Sequence, residues 1–162
     1  MVHLHEYDWV ESPEVTRQLD WIRLCECGFS PDRPAWRVLV TGSRSHADRM
    51  QVWLALGAEF RHAEAQGLPM VVIEGQCPHG GADAHAERWA QVSNTEGLPV
   101  WHDPFPANWK ELGKRAGPYR NQQMVDSGAD VCLAFPTAES RGTWDCIRRA
   151  EAAGIPVKVF EQ

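Results

Sequence analysis

The sequence predicts an α/β protein, a Rossmann-like, doubly wound parallel sheet of about five strands with an N-terminal helical extension. Three observations predict it. Short apolar, β-branched runs without helical spacing lie near 37–41, 70–74, 98–102, 131–135 and 156–160 and read as buried parallel strands. Segments with apolar residues at helical spacing separate them. One junction, glycine–apolar–proline–apolar, is written three times, at Gly67-Leu68-Pro69-Met70, Gly97-Leu98-Pro99-Val100 and Gly154-Ile155-Pro156-Val157. Glycine takes the left-handed position after a helix, and the proline two residues later forbids its continuation.

Bulk properties narrow the class. A chain of 162 residues suffices for one domain with a full core, assigned to 37–162. Residues 1–36 differ: Ser12-Pro13 starts a helical pattern through Val15, Leu19, Trp21 and Ile22 that stops near Cys25 to Gly28, and Phe29 to Pro34 is a turn-rich connector. The net charge of −6 argues against non-specific nucleic-acid binding, which needs a basic face. No apolar run approaches the ~18 residues of a membrane span. Met1 to Val10 lacks a basic region and an apolar core of the signal-peptide kind, which places the protein in the cytosol. Five scattered cysteines form no disulfide framework and read as reduced thiols. Cys25-x-Cys27 and Cys77-x-His79 are spaced too tightly for the usual zinc knuckle, so no metal is expected. Nor is a cofactor expected. Eight tryptophans should mostly be core or pocket walls.

The first strand, Arg37 to Thr41, runs into Gly42-Ser43-Arg44, and Asp48 opens a helix over about 48–66. Strand, glycine turn and helix aim backbone N–H groups at an anion, and Arg44 adds a guanidinium fork; the same turn also occurs as plain α/β punctuation. The second loop, 74–81, carries Gly80-Gly81, which can present N–H groups to phosphate or ribose oxygens. Asp83 follows in the first turn of the next helix, either complementing the helix dipole or taking hydrogen bonds from ribose hydroxyls or acting as a base. His79 and His85 read as exposed. The third loop, 102–119, gathers Lys110, Lys114, Arg115 and Arg120 in an acidic chain, which suits an anionic ligand; Asn121 leads into a helix at Gln122 to Ser127. In the fourth loop, 136–142, Gly142 and Thr143 open a helix over 143–153 and offer a second helix N-terminus. Right-handed crossovers put all four loops on the carboxyl edge of the sheet, where a ligand binds beside the reversal of strand order.

In combination and order, Val-Thr-Gly-Ser-Arg (40–44), Glu-Gly…Gly-Gly-Ala-Asp (74–83), Gly-Pro-Tyr-Arg-Asn-Gln-Gln-Met (117–124) and Pro136…Gly142-Thr143 resemble the SLOG superfamily. That is the Rossmann-like group of the lonely-guy phosphoribohydrolases and the Smf/DprA DNA-processing proteins, and the likeness is greatest to its YspA-type branch of bacteria and phages. The lonely-guy enzymes cleave the N-glycosidic bond of nucleoside 5′-monophosphates with a Pro-Gly-Gly-x-Gly-Thr-x-x-Glu motif and an assisting arginine. Arg120 and Met124 occupy comparable places, and Gly142-Thr143 match. Thr137-Ala138 replaces the double glycine, and the glutamate position falls on Cys146, with Asp145 beside it. A thiol does not stabilise an oxocarbenium-like centre as a carboxylate does.

The resemblance implies a nucleotide or ADP-ribose-like ligand held by Gly42, Ser43, Arg44, Gly80, Gly81, Asp83, Arg120, Asn121, Gly142 and Thr143. It also leaves a nucleoside-phosphate N-glycosidase open, with Arg120 on the phosphate or ribose and Asp83, Glu139 or Asp145 at the ribosyl cation. A Smf-like, single-strand DNA-handling protein is a third reading, against which the acidic charge weighs. Self-association as a homodimer is expected, as is an Arg120 that borders a loop and is removable without harm to the fold.

Overall fold

The computed structural model describes residues 34–45, 48–77 and 80–161, and the backbone of 7–11 and 21–25. The chain divides into two compact units, 1–35 and 36–162. In the first, β1 (Tyr7–Glu11) and β2 (Trp21–Cys25) pair antiparallel, with Tyr7 opposite Cys25 and Glu11 opposite Trp21. This corrects the expected helix over Trp21–Cys25; the remainder of that helix, 13–20, lies outside the described residues. Trp21 and Ile22 are strand-favouring types, and the partner strand lies upstream of the window in which the helical spacing was read. Cys27 and His79, two of the rejected zinc ligands, also lie outside the described residues.

The second unit is a five-stranded, fully parallel sheet: β3 (Trp36–Gly42), β4 (Met70–Glu74), β5 (Val100–Pro104), β6 (Val131–Phe135) and β7 (Val157–Val159), in the order β5-β4-β3-β6-β7. Val38 pairs with Val72 on one side and Val131 on the other. The connecting helices are α1 (Arg49–Ala65), α2 (Ala82–Thr95), α3 (Trp109–Leu112), α4 (Ala116–Asp126) and α5 (Arg141–Ala152). Helices α1 and α2 contribute Val52, Leu56, Ala86 and Ala90 to a buried core with Val38, Val40, Val72 and Phe135. Strand residues alternate faces, so Leu39 turns the other way; α4 and α5 pack against each other, and α5 against β3 and β6.

The three repeated junctions hold. Gly67, Gly97 and Gly154 have φ of 68°, 85° and 77°, the left-handed conformation that ends each helix. The prolines do more than stop helices. Pro69, Pro99 and Pro156 lack an N–H, yet their carbonyls accept from Trp36 N (2.8 Å), Met70 N (2.9 Å) and Cys132 N (2.8 Å). Each junction therefore anchors an incoming strand to its neighbour.

Two element assignments change. The expected loop 102–119 is largely helical: α3, a 3-10 turn at Gly113–Arg115 and then α4, which starts at Ala116 rather than Gln122. Arg120 thus sits inside a helix. Likewise α5 begins at Arg141, with Ser140 as its N-cap residue, two residues before the expected start. In both places the loop reading followed Gly and Pro, which also fit a helix's first turn. From β3 the chain winds outward through β4 to β5, then crosses back to β6 on the other side of β3. The strand order therefore reverses between β3 and β6, and a crevice opens beyond their carboxyl ends.

Candidate functional site

That crevice is a pocket of about 1090 Å³. Its floor begins where β3 meets β6: Ser43 N donates to Phe135 O at 3.0 Å, so chain direction is held up to the last strand residue. The Ser43 hydroxyl lies 2.8 Å from Ser45 Oγ and accepts from Thr137 Oγ1 at 3.3 Å, tying the β3 loop to the β6 loop. Thr41, Gly42, Ser43, Arg44 and Ser45 all line the pocket.

The fourth wall is the first turn of α5. Ser140, Arg141, Gly142 and Thr143 line the pocket. The Ser140 hydroxyl accepts from Thr137 N and donates to Thr137 O, both at 2.8 Å, which fixes the turn ahead of the helix. Arg141 N is taken by Glu139 O, and Thr143 N and Trp144 N by Ser140 O. The Gly142 N–H remains as the first-turn donor without a backbone acceptor among the described residues. No atom lies within 4 Å of where a Gly142 Cβ would stand. An anion would find an N–H, a helix dipole and room there.

Two helix N-termini were expected at the pocket, but α1 does not supply one. Its N-cap, Asp48, satisfies Gln51 N with its own carboxylate at 3.0 Å, and neither Asp48 nor Arg49 reaches the wall. Gly80 and Gly81 also stay out of the wall. Gly81 instead lets two backbones meet: a Cβ there would collide with Ser43 O, at a φ of 84° that disfavours any other residue. Ala82 N then bonds Ser43 O at 3.3 Å. Gly81 therefore positions Ser43.

Arg120 is set by a residue that sequence reasoning missed. Its guanidinium donates to Gly75 O and stands 4.0 Å from Asp83 Oδ2. Its Nη1 also lies where a Gly75 Cβ would stand. Only glycine at 75 leaves that space; the Glu-Gly pair, quoted above for the resemblance alone, was the signal. Asn121 braces the arrangement. Its Oδ1 accepts from Arg120 Nε at 3.2 Å, and its amide donates to Gly142 O and Asp145 Oδ2, each at 3.1 Å. Asn121 thus links the guanidinium to the α5 turn.

The acidic groups differ sharply. Asp83 is 7% exposed, and its Oδ1 has no hydrogen-bond partner among the described residues. Burial, then the charge of Glu74, pushes its carboxyl up to about 7 against the pull of Arg120, a Gly75 backbone bond and Arg44. Glu74 is itself fully buried, 2.6 Å from His102 Nε2. Asp145 goes the other way. Partial burial raises its carboxyl, but hydrogen bonds from Arg149 (2.8 Å) and Asn121 outweigh that and hold it below the usual carboxylate range. Cys146 is buried, and desolvation lifts its thiol to about 11 despite a bond to Thr41. It carries no charge at neutral pH.

The basic groups also sort. Lys110, Lys114 and Arg115 are exposed and do not line the pocket. Among the described residues, the Arg and Lys side chains in the wall are Arg44, Arg120 and Arg141, the last of which sequence reasoning passed over. Arg44 rests 5.8 Å from the centroid of Trp109, which also lines the pocket. Such a contact is worth about 0.5–1 kcal/mol when exposed, against about 1.5–3 kcal/mol for a charge-assisted hydrogen bond, so an anion outcompetes the indole for Arg44. Exposed Glu139 also lines the wall, but with Asp145 engaged by Arg149 and Asp83 drawn toward its neutral form, the three guanidinium groups outweigh it and the wall suits a negative ligand.

A parallel sheet reversed at β3 and β6, with a pocket at the reversal, defines a Rossmann-like α/β protein. A family model described as the YspA, cpYpsA-related SLOG family matches residues 36–111. The Gene 61 protein of Mycobacterium phage D29 is 50% identical over 124 residues, 76% of this chain and 95% of that protein. The chain belongs to the YspA, cpYpsA-related SLOG family. Among the described residues, no helix is long and apolar enough to cross a membrane.

Proposed function

We propose that the protein binds a nucleotide or a phosphate-containing nucleotide derivative of the ADP-ribose kind. Its phosphate lies over the first turn of α5, within reach of Arg44, Arg120 and Arg141. One observation carries this reading: the open Gly142 turn and three guanidinium groups share the wall of one pocket at the switch point. Gly42, Ser43 and Thr143 shape the phosphate end; Asp83 accepts from ribose hydroxyls. The test is calorimetric titration after a thermal-shift screen of nucleotides. Arg44→Ala and Arg120→Gln should each weaken binding about tenfold or more, the cost of one lost charge-assisted bond. Arg120→Gln is preferred to alanine because Arg120 partners Gly75 and Asp83 inside the fold. Unchanged affinity in both variants would place the phosphate elsewhere.

A second reading, nucleoside 5′-monophosphate N-glycosidase, is favoured by one feature. Asp83 and Asp145 are carboxylates of one pocket whose environments push them in opposite directions, the pattern that separates an acid from an ionised stabiliser. Cys146 weighs against the glutamate chemistry of the lonely-guy enzymes, because it is buried and neutral. Release of free base from nucleoside monophosphates, followed chromatographically and lost in Asp83→Asn, would establish this reading. Base release unaffected by that substitution would remove Asp83 from it.

A further inference from the structure

Trp109 is 48% exposed, yet it stands in the pocket wall rather than on an open surface. Its placement is fixed on several sides. Asn108 caps α3, accepting from Glu111 N at 3.2 Å and donating to Glu111 Oε2 at 2.8 Å. The far edge of the indole backs onto Gly117, where a Cβ would stand 3.4 Å from Cη2. Over the ring lies the planar Arg44 guanidinium, 5.8 Å from the centroid, near the ~6 Å outer limit of such contacts. The place above the ring thus already holds a flat group, and holds it loosely.

Topology sets what comes next. α3 follows β5 and α5 follows β6, and these strands flank the β4–β3 pair from opposite sides. The α5 turn and Trp109 line the same pocket, and its volume of about 1090 Å³ leaves room beyond a sugar phosphate for a ligand reaching from one to the other. We propose that Trp109 is the platform on which the ligand's base stacks, taking the place that Arg44 leaves when it turns to the phosphate. This rests on the phosphate-binding reading above and adds the chemistry of the other end: a planar heterocycle, recognised by its face. Stacking grows with ring overlap and tolerates any base, so purine nucleotides should bind more tightly than pyrimidine nucleotides.

The experiment titrates the full chain and its Trp109→Ala and Trp109→Phe variants with AMP, GMP, CMP, UMP and ribose 5-phosphate, with circular dichroism to verify folding. The expected result has wild type preferring AMP and GMP over CMP and UMP, and all four over ribose 5-phosphate. Trp109→Ala should weaken AMP and GMP about tenfold and leave ribose 5-phosphate unchanged, and Trp109→Phe should keep most of the affinity. Equal losses for the purine nucleotides and ribose 5-phosphate in Trp109→Ala would show that the indole only shapes the pocket. Unchanged AMP affinity would put the base elsewhere. Either result overturns the platform while the phosphate site stands. Failure of these five compounds and of ADP-ribose to bind wild type would overturn both.

Discussion

Asp83 is where the chemistry of the pocket and the stability of the fold meet. Its carboxyl titrates near 7 in the folded chain, against an ordinary value of 3.8. Between those values the folded protein holds a proton that the unfolded chain has released. That contribution to stability is fully present below about pH 4 and is lost as pH rises through 7. Melting temperature measured from pH 5 to 8 should therefore fall more steeply for wild type than for Asp83→Asn, whose amide never ionises. Gly75 gives a contrasting expectation. In Gly75→Ala the new methyl meets the far end of a flexible arginine, not backbone. The fold should absorb it by displacing Arg120, so the melting temperature changes little while calorimetric affinity for the best nucleotide drops as in Arg120→Gln. Position alone revealed that Asp83 opens a helix; its unusual proton affinity comes from burial and then from the charge of Glu74, against the pull of Arg120, and only the folded chain brings these together.

At the scale of elements, α5 carries the sharpest expectation. Alanine is the better helix former, and around Gly142 there is open space. Gly142→Ala should thus leave thermal stability unchanged or raise it by up to about 1 kcal/mol. Its methyl would occupy the place proposed for phosphate, so affinity should fall about tenfold or more. A stability gain joined to a binding loss separates a ligand glycine from a packing glycine such as Gly81. β3, β4 and β6 were legible because each states its own burial in a short apolar run; β5 (Val-Trp-His-Asp-Pro) and β7 (Val-Lys-Val) were legible through the Gly-x-Pro junctions ahead of them, and β5 lies two residues beyond the expected 98–102. Less legible was whatever rests on pairing across the chain. Trp21–Cys25 needs Tyr7–Glu11 beside it to be a strand. The third loop, dense in Gly and Pro, concealed α3 and α4. Of the candidate site, Gly42, Ser43, Arg44, Asp83, Arg120, Asn121, Gly142 and Thr143 line one pocket, whereas Gly80 and Gly81 do not. A double glycine looks the same in sequence whether it faces a ligand or another backbone.

For the whole molecule, self-association is the expectation to test. Met50 and Leu54 lie one turn apart on α1 and are 58% and 66% exposed, a small apolar strip on an otherwise polar helix face. Light scattering at micromolar concentration should return twice the 18.2 kDa chain mass, and Leu54→Glu should return it to one. A wild-type mass near that of one chain would refute this. The reversed strand order also has a temporal side. β3 is made early and β6 only after β4 and β5, yet the two are neighbours. Thr41 to Ser45 and Asp83 leave the ribosome well before Arg120 and the α5 turn, so a complete pocket reports that the last third of the sheet has docked onto the first. A ligand bound there becomes a clasp on that late-arriving edge. It should slow amide hydrogen exchange in β6, α5 and β7 by up to the factor 1 + [L]/Kd, wherever exchange requires that edge to open.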